Sequence, residues 1–498
     1  MDSGIKTSHP DLENMLWVNP NPDNSNGYEG DIHGWNFAQD NNDIEDHLGH
    51  GTHSSGTIAA ESFNVTGVAG VAGGDGSGNG IRLMIARAFA SGANGGFHNA
   101  FIYAADNGAV ISSNSWGYNT VGFFPEIVEN AIDYFIQNAG YDEDGNVTGP
   151  VAGGVAIFAA GNNNTTNLFY PAAYPPVLSV TGTNHRDEKS WYSNYGPHVD
   201  VSAPGGELRG PGNREGVYST DSESRGMYSF RQGTSMAAPH VAGIAALIAS
   251  DNPGIKNRDL IHRIMETTDD IYDINPNFES SLGTGRVNAF RALTEDVTPA
   301  APLILLPGED ASVDEVSDVL LAWEASTYAE SYEVFVSEDA EFNQIVFSAS
   351  GISGLSLEPN NLEKFRTYYW GVRGINQIGN GPKSTSRFAI AGIASTEHDV
   401  NRPSKAQLHP NYPNPFNPST LIRYTLPEVS SVRLEIFNIQ GQRVAELVNG
   451  SRHAGDHTAM FSAAGLASGV YIARLQVSGA NLSAASPVVL SQRMLLIK

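Results

Sequence analysis

None of the 498 residues is cysteine, which removes disulfides, thiolate nucleophiles and Cys-based zinc sites. Basic residues are scarce too: 28 Lys and Arg stand against 54 Asp and Glu, a formal net charge of -26. Nucleic acids and anionic membranes need basic surface, so neither fits as a partner. The acidic excess suits a soluble protein that attracts cations such as calcium. No apolar run approaches the ~20 residues that cross a bilayer, so no transmembrane segment is expected. No signal peptide is expected from the sequence ahead of Asp2. Charged residues reach only 16%, leaving a surface rich in Asn, Ser, Thr and Gly.

What is present points to ordinary globular cores. Apolar residues make up 40% and there are 6 Trp. The length exceeds what one core supports, so two to four domains are expected. Residues 1–295 alternate short apolar runs with helical patterns and Gly-rich turns. "GGVAIFAAGN" (153–162) reads as a buried strand, "HNAFIYAADNGA" (98–109) and "PHVAGIAALIAS" (239–250) as helices. That alternation predicts an α/β fold, a mostly parallel sheet with helices on both faces. After the Pro/Ala linker "VTPAAP" (297–302) the period changes to two. In "SYEVFVS" Tyr332, Val334 and Val336 alternate with Glu333, Phe335 and Ser337, and further strands predict a β-sandwich over 300–394. A polar linker (395–405) leads to a second all-β unit over 405–498, with strands in "VRLEIFNIQGQRVAELV" joined at Gln440-Gly441.

The residues able to carry chemistry lie in the first segment. Ser235, in "RQGTSMAAPHVAG", sits where a Gly-rich turn becomes a helix, with Pro239 placed in its first turn. On the local pattern alone an N-cap is the simpler reading. The alternative is a nucleophile, since a helix N-terminus favours developing negative charge. "GHGTHSSGTIAA" puts His50 at another helix start with His53 one turn on. A zinc pair wants His at i and i+4 with an intervening Glu, which is absent. "GGDGSGNG" (73–80) lacks a following Lys and is a loop, not a phosphate cradle. "YDEDGNVTG" (141–149) reads as a solvated hairpin tip.

"DSGIKTSHPDL", "GHGTHSSGTIAA", "AAGNNN" and "GTSMAAPHVAG" occur in that order, and together they resemble the subtilisin-like serine proteases over residues 1–295. The resemblance implies a secreted serine endopeptidase acting on polypeptides. Asp2, His50 and Ser235 would be its triad and Asn162 its oxyanion donor. Ser115, Trp116 and Gly117, facing Ala160 and Gly161, would bind the substrate, although Trp116 also reads as core. Backbone pairing with an extended peptide implies broad specificity with a preference for bulky apolar residues before the cut. No cofactor is needed for chemistry. Structural calcium is expected from Asp11 and Asn64, in a loop that looks one residue longer than usual.

Trp323 and Tyr368 resemble the core of fibronectin type III modules. "NYPNPFNPST", "IFNIQGQRV", "LASGVYIARL" and "QRMLLIK" resemble the C-terminal sorting domain of the type IX secretion system. That implies the type IX machinery as partner and export through the periplasm and outer membrane of a Bacteroidetes-like bacterium. The competing readings are a protease-derived binding or adhesive surface protein, and an inactive N-terminally truncated fragment. The family carries an apolar strand immediately before the Asp, preceded by a propeptide and a signal. An N-terminally incomplete copy is therefore expected, with Asp2 on a mobile end unable to hold His50, and little activity.

Overall fold

A computed structural model describes residues 1–496 apart from 23–25, 143–144, 314, 392–404, 410, 412–413, 415, 417–418, 428–429, 453–454, 464–465 and 480–487. The chain forms two compact units, one of residues 1–141 and 147–297, the other of 142–146 and 298–498.

The first unit holds two parallel pieces of sheet. Strands β1 (Gly34–Asn36) and β2 (Ile85–Arg87) pair with each other. Strands β3 (Ile111–Asn114), β4 (Val155–Ala159), β5 (Leu178–Thr183) and β6 (Val201–Pro204) pair in sequence order. Helices α1 (His50–Ala59), α2 (Phe97–Asp106), α3 (Glu126–Asn138) and α4 (Thr234–Asp251) cover both faces. Period two is visible along β4. Val155, Ile157 and Ala159 join the core that contains α4, while Ala156 and Phe158 join the core of α2 and α3. A strand apolar on both faces must be covered on both, which is the doubly covered parallel arrangement expected. Helix α3 buries Val128, Ala131, Ile132 and Phe135, one face at helical spacing. Helix α4 buries nearly every side chain from Met236 to Ala249 and runs through the middle of the unit.

The two sheet pieces leave a gap. Among the described residues strand β3 pairs only with β4, and Ile111, Ser112 and Ser113 are half-buried where β4 and β5 are wholly buried. Between β2 and β3 lies a cavity of about 470 Å³, lined among others by Met1, Leu83, Ala86, Ile111 and Ala246. Met1 lines it, its ammonium donating to Ser113 O at 2.8 Å.

The expectation of a mobile Asp2 is overturned here. Its N–H donates to Ala86 O at 3.1 Å, and its carbonyl accepts from Ala88 N at 2.9 Å. Asp2 therefore continues the parallel ladder on β2, and the Met1 side chain packs into the neighbouring cores. Backbone pairing on one side and the Met1 ammonium on the other fix the residue.

In the second unit, a three-stranded sheet (Ile304–Leu306, Leu321–Trp323, Ser356–Leu357) and a five-stranded one enclose Trp323, Tyr332, Val334, Val336, Tyr368 and Trp370. The alternation in "SYEVFVS" places Tyr332, Val334 and Val336 inside. Tyr368 accepts a hydrogen bond on its hydroxyl from Glu363 N. A separate core gathers Ile422, Tyr424, Leu434, Ile436, Leu475 and Leu496 between a three-stranded and a four-stranded antiparallel sheet. Ser430–Asn438 and Arg443–Arg452 form the hairpin turning near Gly441. The linker 395–405 lies almost wholly outside the described residues, as do two residues of the 141–149 loop. No described helix is long and apolar enough to cross a membrane.

Candidate active site

Asp2, His50, Asn162 and Ser235 line one cleft of about 630 Å³, together with Ser115, Trp116, Gly117, Ala160 and Gly161. All nine expected catalytic and substrate-binding residues are thus brought together. His50 opens α1 behind Gly49, whose φ of 74° is left-handed. Its Nδ1 lies 2.7 Å from Asp2 Oδ1 and 3.0 Å from Oδ2. The Asp2 carboxylate also accepts from Ser3 N at 2.7 Å and Ser54 Oγ at 3.3 Å.

These contacts set the charges. The Asp2 carboxylate raises the His50 pKa above its ordinary value, against the opposing effect of burial. Burial works to raise the Asp2 carboxyl. The His50 charge, its hydrogen bond and the Ser3 amide outweigh that and hold the carboxyl below the usual carboxylate range. An imidazole oriented through Nδ1 keeps Nε2 for proton transfer.

Gly233 (φ 142°) turns the chain into α4, putting Ser235 at the helix start. The expected position of Pro239 needs correction: α4 begins at Thr234, so Pro239 stands in the second turn. Proline has no N–H to give the carbonyl four residues back, so Ser235 O is left without its helical partner. Ser115 Oγ fills the vacancy, donating to Ser235 O at 2.9 Å. The Ser235 hydroxyl in turn lies 3.4 Å from Ser115 O rather than on His50. Catalytic hydrogen bonds are often loose before substrate binds.

Asn162 is oriented by Thr234. Its Oδ1 accepts from Thr234 N at 2.9 Å and from Thr234 Oγ1 at 3.0 Å. Thr234 Oγ1 accepts from Gly161 N at 3.1 Å. With the oxygen occupied, the amide nitrogen is left to donate into the cleft, beside the first-turn N–H of Ser235. Neither Thr234 nor the Ser115 hydroxyl was expected in this supporting role. The proline four residues beyond Ser235 was the one available signal.

Trp116 is both wall and core. It is 8% exposed, stacks on Phe97 at 4.2 Å between centroids, and donates Nε1–H to Asn114 Oδ1. His53 turns away from the cleft, its Nε2 within reach of the carbonyls of Val217 and Ser229. Burial lowers its pKa to about 4.

The two residues expected at a calcium site are engaged with each other and with their own loop. Asp11 and Asn64 do meet, but Asn64 donates its amide N–H to Asp11 Oδ1 at 2.9 Å. Its oxygen goes to Thr66 N. Val68 N and the Tyr228 hydroxyl donate to Asp11 Oδ2 at 2.9 and 3.0 Å. A hard cation needs six to eight oxygens, whereas three hydrogen-bond donors converge on this carboxylate. The arrangement is a hydrogen-bonded loop clasp and does not fit the ion.

The subtilase family model matches residues 1–287, and the chain belongs to that family. A secretion system C-terminal sorting domain matches residues 411–485. The thermophilic serine proteinase of Bacillus sp. (strain AK1) is 33% identical over 297 residues, covering 59% of this chain and 60% of that protein. Thermitase of Thermoactinomyces vulgaris is 33% identical over 306 residues, covering 59% of this chain and 86% of that protein. Among solved structures, a protease from Pseudoalteromonas arctica PAMC 21717 is 28% identical, with a TM-score of 0.44 over 59% of this chain and 87% of that one. A sorting domain of this kind directs its protein to the cell surface or beyond.

Proposed function

We propose that this chain is a serine endopeptidase. Ser235 Oγ attacks the scissile carbonyl while His50 Nε2 takes its proton. The same proton then goes to the leaving amine, and the Asp2 carboxylate stabilises the imidazolium between the two transfers. Asn162 Nδ2–H and Ser235 N–H stabilise the oxyanion. Water then cleaves the acyl-enzyme by the same steps, with His50 as base. The observation that carries this reading is the 2.7 Å Asp2–His50 contact in a cleft shared with Ser235 and Asn162.

Polypeptides are the substrate class. The backbone at Ser115–Gly117, just past the end of β3, would pair with the peptide, which gives affinity with little sequence selectivity. The type IX machinery is the second partner, engaged through the C-terminal sorting domain. The 300–394 segment is proposed as a fibronectin type III-like module, supported by its two sheets around Trp323 and Tyr368.

The test is Ser235→Ala, assayed by casein hydrolysis and by labelling with a fluorophosphonate probe. Loss of both with an unchanged circular dichroism spectrum is expected. Retained hydrolysis in this variant overturns the assignment, and absence of labelling in the wild-type chain favours the binding-protein alternative.

A further inference from the structure

The Asp2–His50 contact joins two segments 48 residues apart, and something must hold them in register. Asp46 is the buried carboxylate nearest that junction, 3% exposed. Its Oδ1 accepts from Leu48 N and Gly49 N, both at 2.9 Å. Its Oδ2 accepts from Thr52 N at 2.9 Å and Thr52 Oγ1 at 2.8 Å. These bonds fix the loop into α1 and the first turn of that helix on either side of His50. A fifth bond crosses to the other segment, Ser3 Oγ donating to Asp46 Oδ1 at 2.9 Å. The Ser3 hydroxyl then accepts from Gly51 N at 2.9 Å.

The neighbours of each catalytic residue are thus bonded to one another. Ser3 follows Asp2, and Gly51 follows His50. Gly51 has to be glycine for this, since a Cβ there would lie 2.2 Å from Gly4 O. Ladder bonds continue the same junction, with Ile5 N donating to Ile44 O and Asp46 N to Ile5 O. One carboxylate thus satisfies three backbone amides and two hydroxyls. Removing its charge leaves several buried donors short of an acceptor.

We propose that Asp46, acting with the Ser3 hydroxyl, is a positioning residue that sets the distance and angle between Asp2 and His50. This rests on the catalytic reading above, but its primary readout does not need activity. The charged groups that act on His50 are Asp2, Asp46 and Arg231, the last paired with Asp221. Removing the Asp46 charge takes away one of the two carboxylates that favour imidazolium and leaves Arg231 opposing. The His50 titration midpoint should therefore fall.

The experiment compares wild type, Asp46→Asn and Ser3→Ala by proton NMR of the His50 Nδ1–H and its pH titration, with kcat and KM on a peptide anilide. In Asp46→Asn the midpoint should move to lower pH and the Nδ1–H resonance should broaden or shift upfield. Activity should fall by about 10- to 100-fold in kcat, the scale of ~1 Å misplacement, with KM within about twofold. Ser3→Ala, which removes one hydroxyl and no charge, should show the resonance and kcat changes in smaller measure and serves if Asp46→Asn does not fold. An unchanged midpoint, resonance and kcat in a folded variant overturns the proposal. An inactive wild type would sink the catalytic reading, yet the NMR arm would still decide this one.

Discussion

Asn162 is held by its oxygen and left with a nitrogen to give. Because Thr234 supplies both hydrogen bonds, the side chain meets a developing oxyanion already oriented, which is the condition for electrostatic preorganisation to lower a barrier. Asn162→Ala should lower kcat by about 10²–10³-fold with little change in KM. Steady-state kinetics on one peptide substrate checks this, and an effect confined to KM would contradict the role. The Asp2–His50 pair sets the pH dependence. Catalysis needs neutral His50, whose pKa lies above the ordinary 6.5 because of Asp2. The acid limb of kcat/KM should accordingly lie above pH 6.5. The stability linked to this histidine runs the other way: it is fully present below 6.5 and lost as pH rises through the raised pKa. The stability linked to Asp2 is present above 3.8 and lost as pH falls through its depressed pKa. At this scale the four proposed catalytic residues, which share one cleft, were legible in the sequence because each sits in its own short motif. Thr234, Ser3 and Asp46 were not singled out, since their value lies in contacts that a linear reading does not show.

Among the elements, helices α1 and α4 were readable from small-residue and apolar runs, and β4 from its unbroken apolar stretch. The loop carrying Asn64 shows why the rest was harder. Asp11 and Asn64 are residues that bind calcium elsewhere, but Tyr228, 217 positions from Asp11, donates to the same carboxylate. Burial and that contact push the Tyr228 pKa up to about 12, so the hydroxyl remains a donor at any working pH. The clasp should therefore hold without metal: melting temperature should be the same with and without chelator. Tyr228→Phe should cost about 0.5–1.5 kcal/mol, or up to about 3 if the carboxylate is left short of a donor. Differential scanning calorimetry of both proteins with and without EDTA measures this. A large fall on chelation would return the loop to calcium.

For the whole molecule, the proposed catalytic role and the sorting domain divide along the chain. Every residue of the cleft precedes 236, and the sorting domain begins after 410. The first unit nevertheless runs slightly past the expected 295. Arg263 donates to Glu295 O at 2.8 Å, and Val297 is 5% exposed. A chain ending at Val297 should keep its specific activity and lose export, measured by casein hydrolysis per active site and by cell fractionation. Normal export of that shortened form would refute the sorting role. The change of period after the Pro/Ala linker made two kinds of architecture visible in the sequence. Which strands share a sheet could not be read, because strand order depends on crossings that local alternation does not encode.

The space between β2 and β3 has a further consequence, which concerns volume. A packed interior loses little volume on unfolding, but an internal void is abolished when water fills it. With a space of about 470 Å³ beside Met1, part of it open to solvent, the first unit should unfold with a volume decrease toward the upper end of the usual ~20–100 mL/mol. High pressure should thus denature it more readily than its thermal stability would suggest. A variant carrying five apolar residues ahead of Met1 should be markedly more resistant to pressure, because the added side chains would occupy the void. High-pressure tryptophan fluorescence on the two proteins compares the unfolding volumes directly. Equal volumes would mean that the space is not emptied on folding, and that Met1 borders hydrated surface.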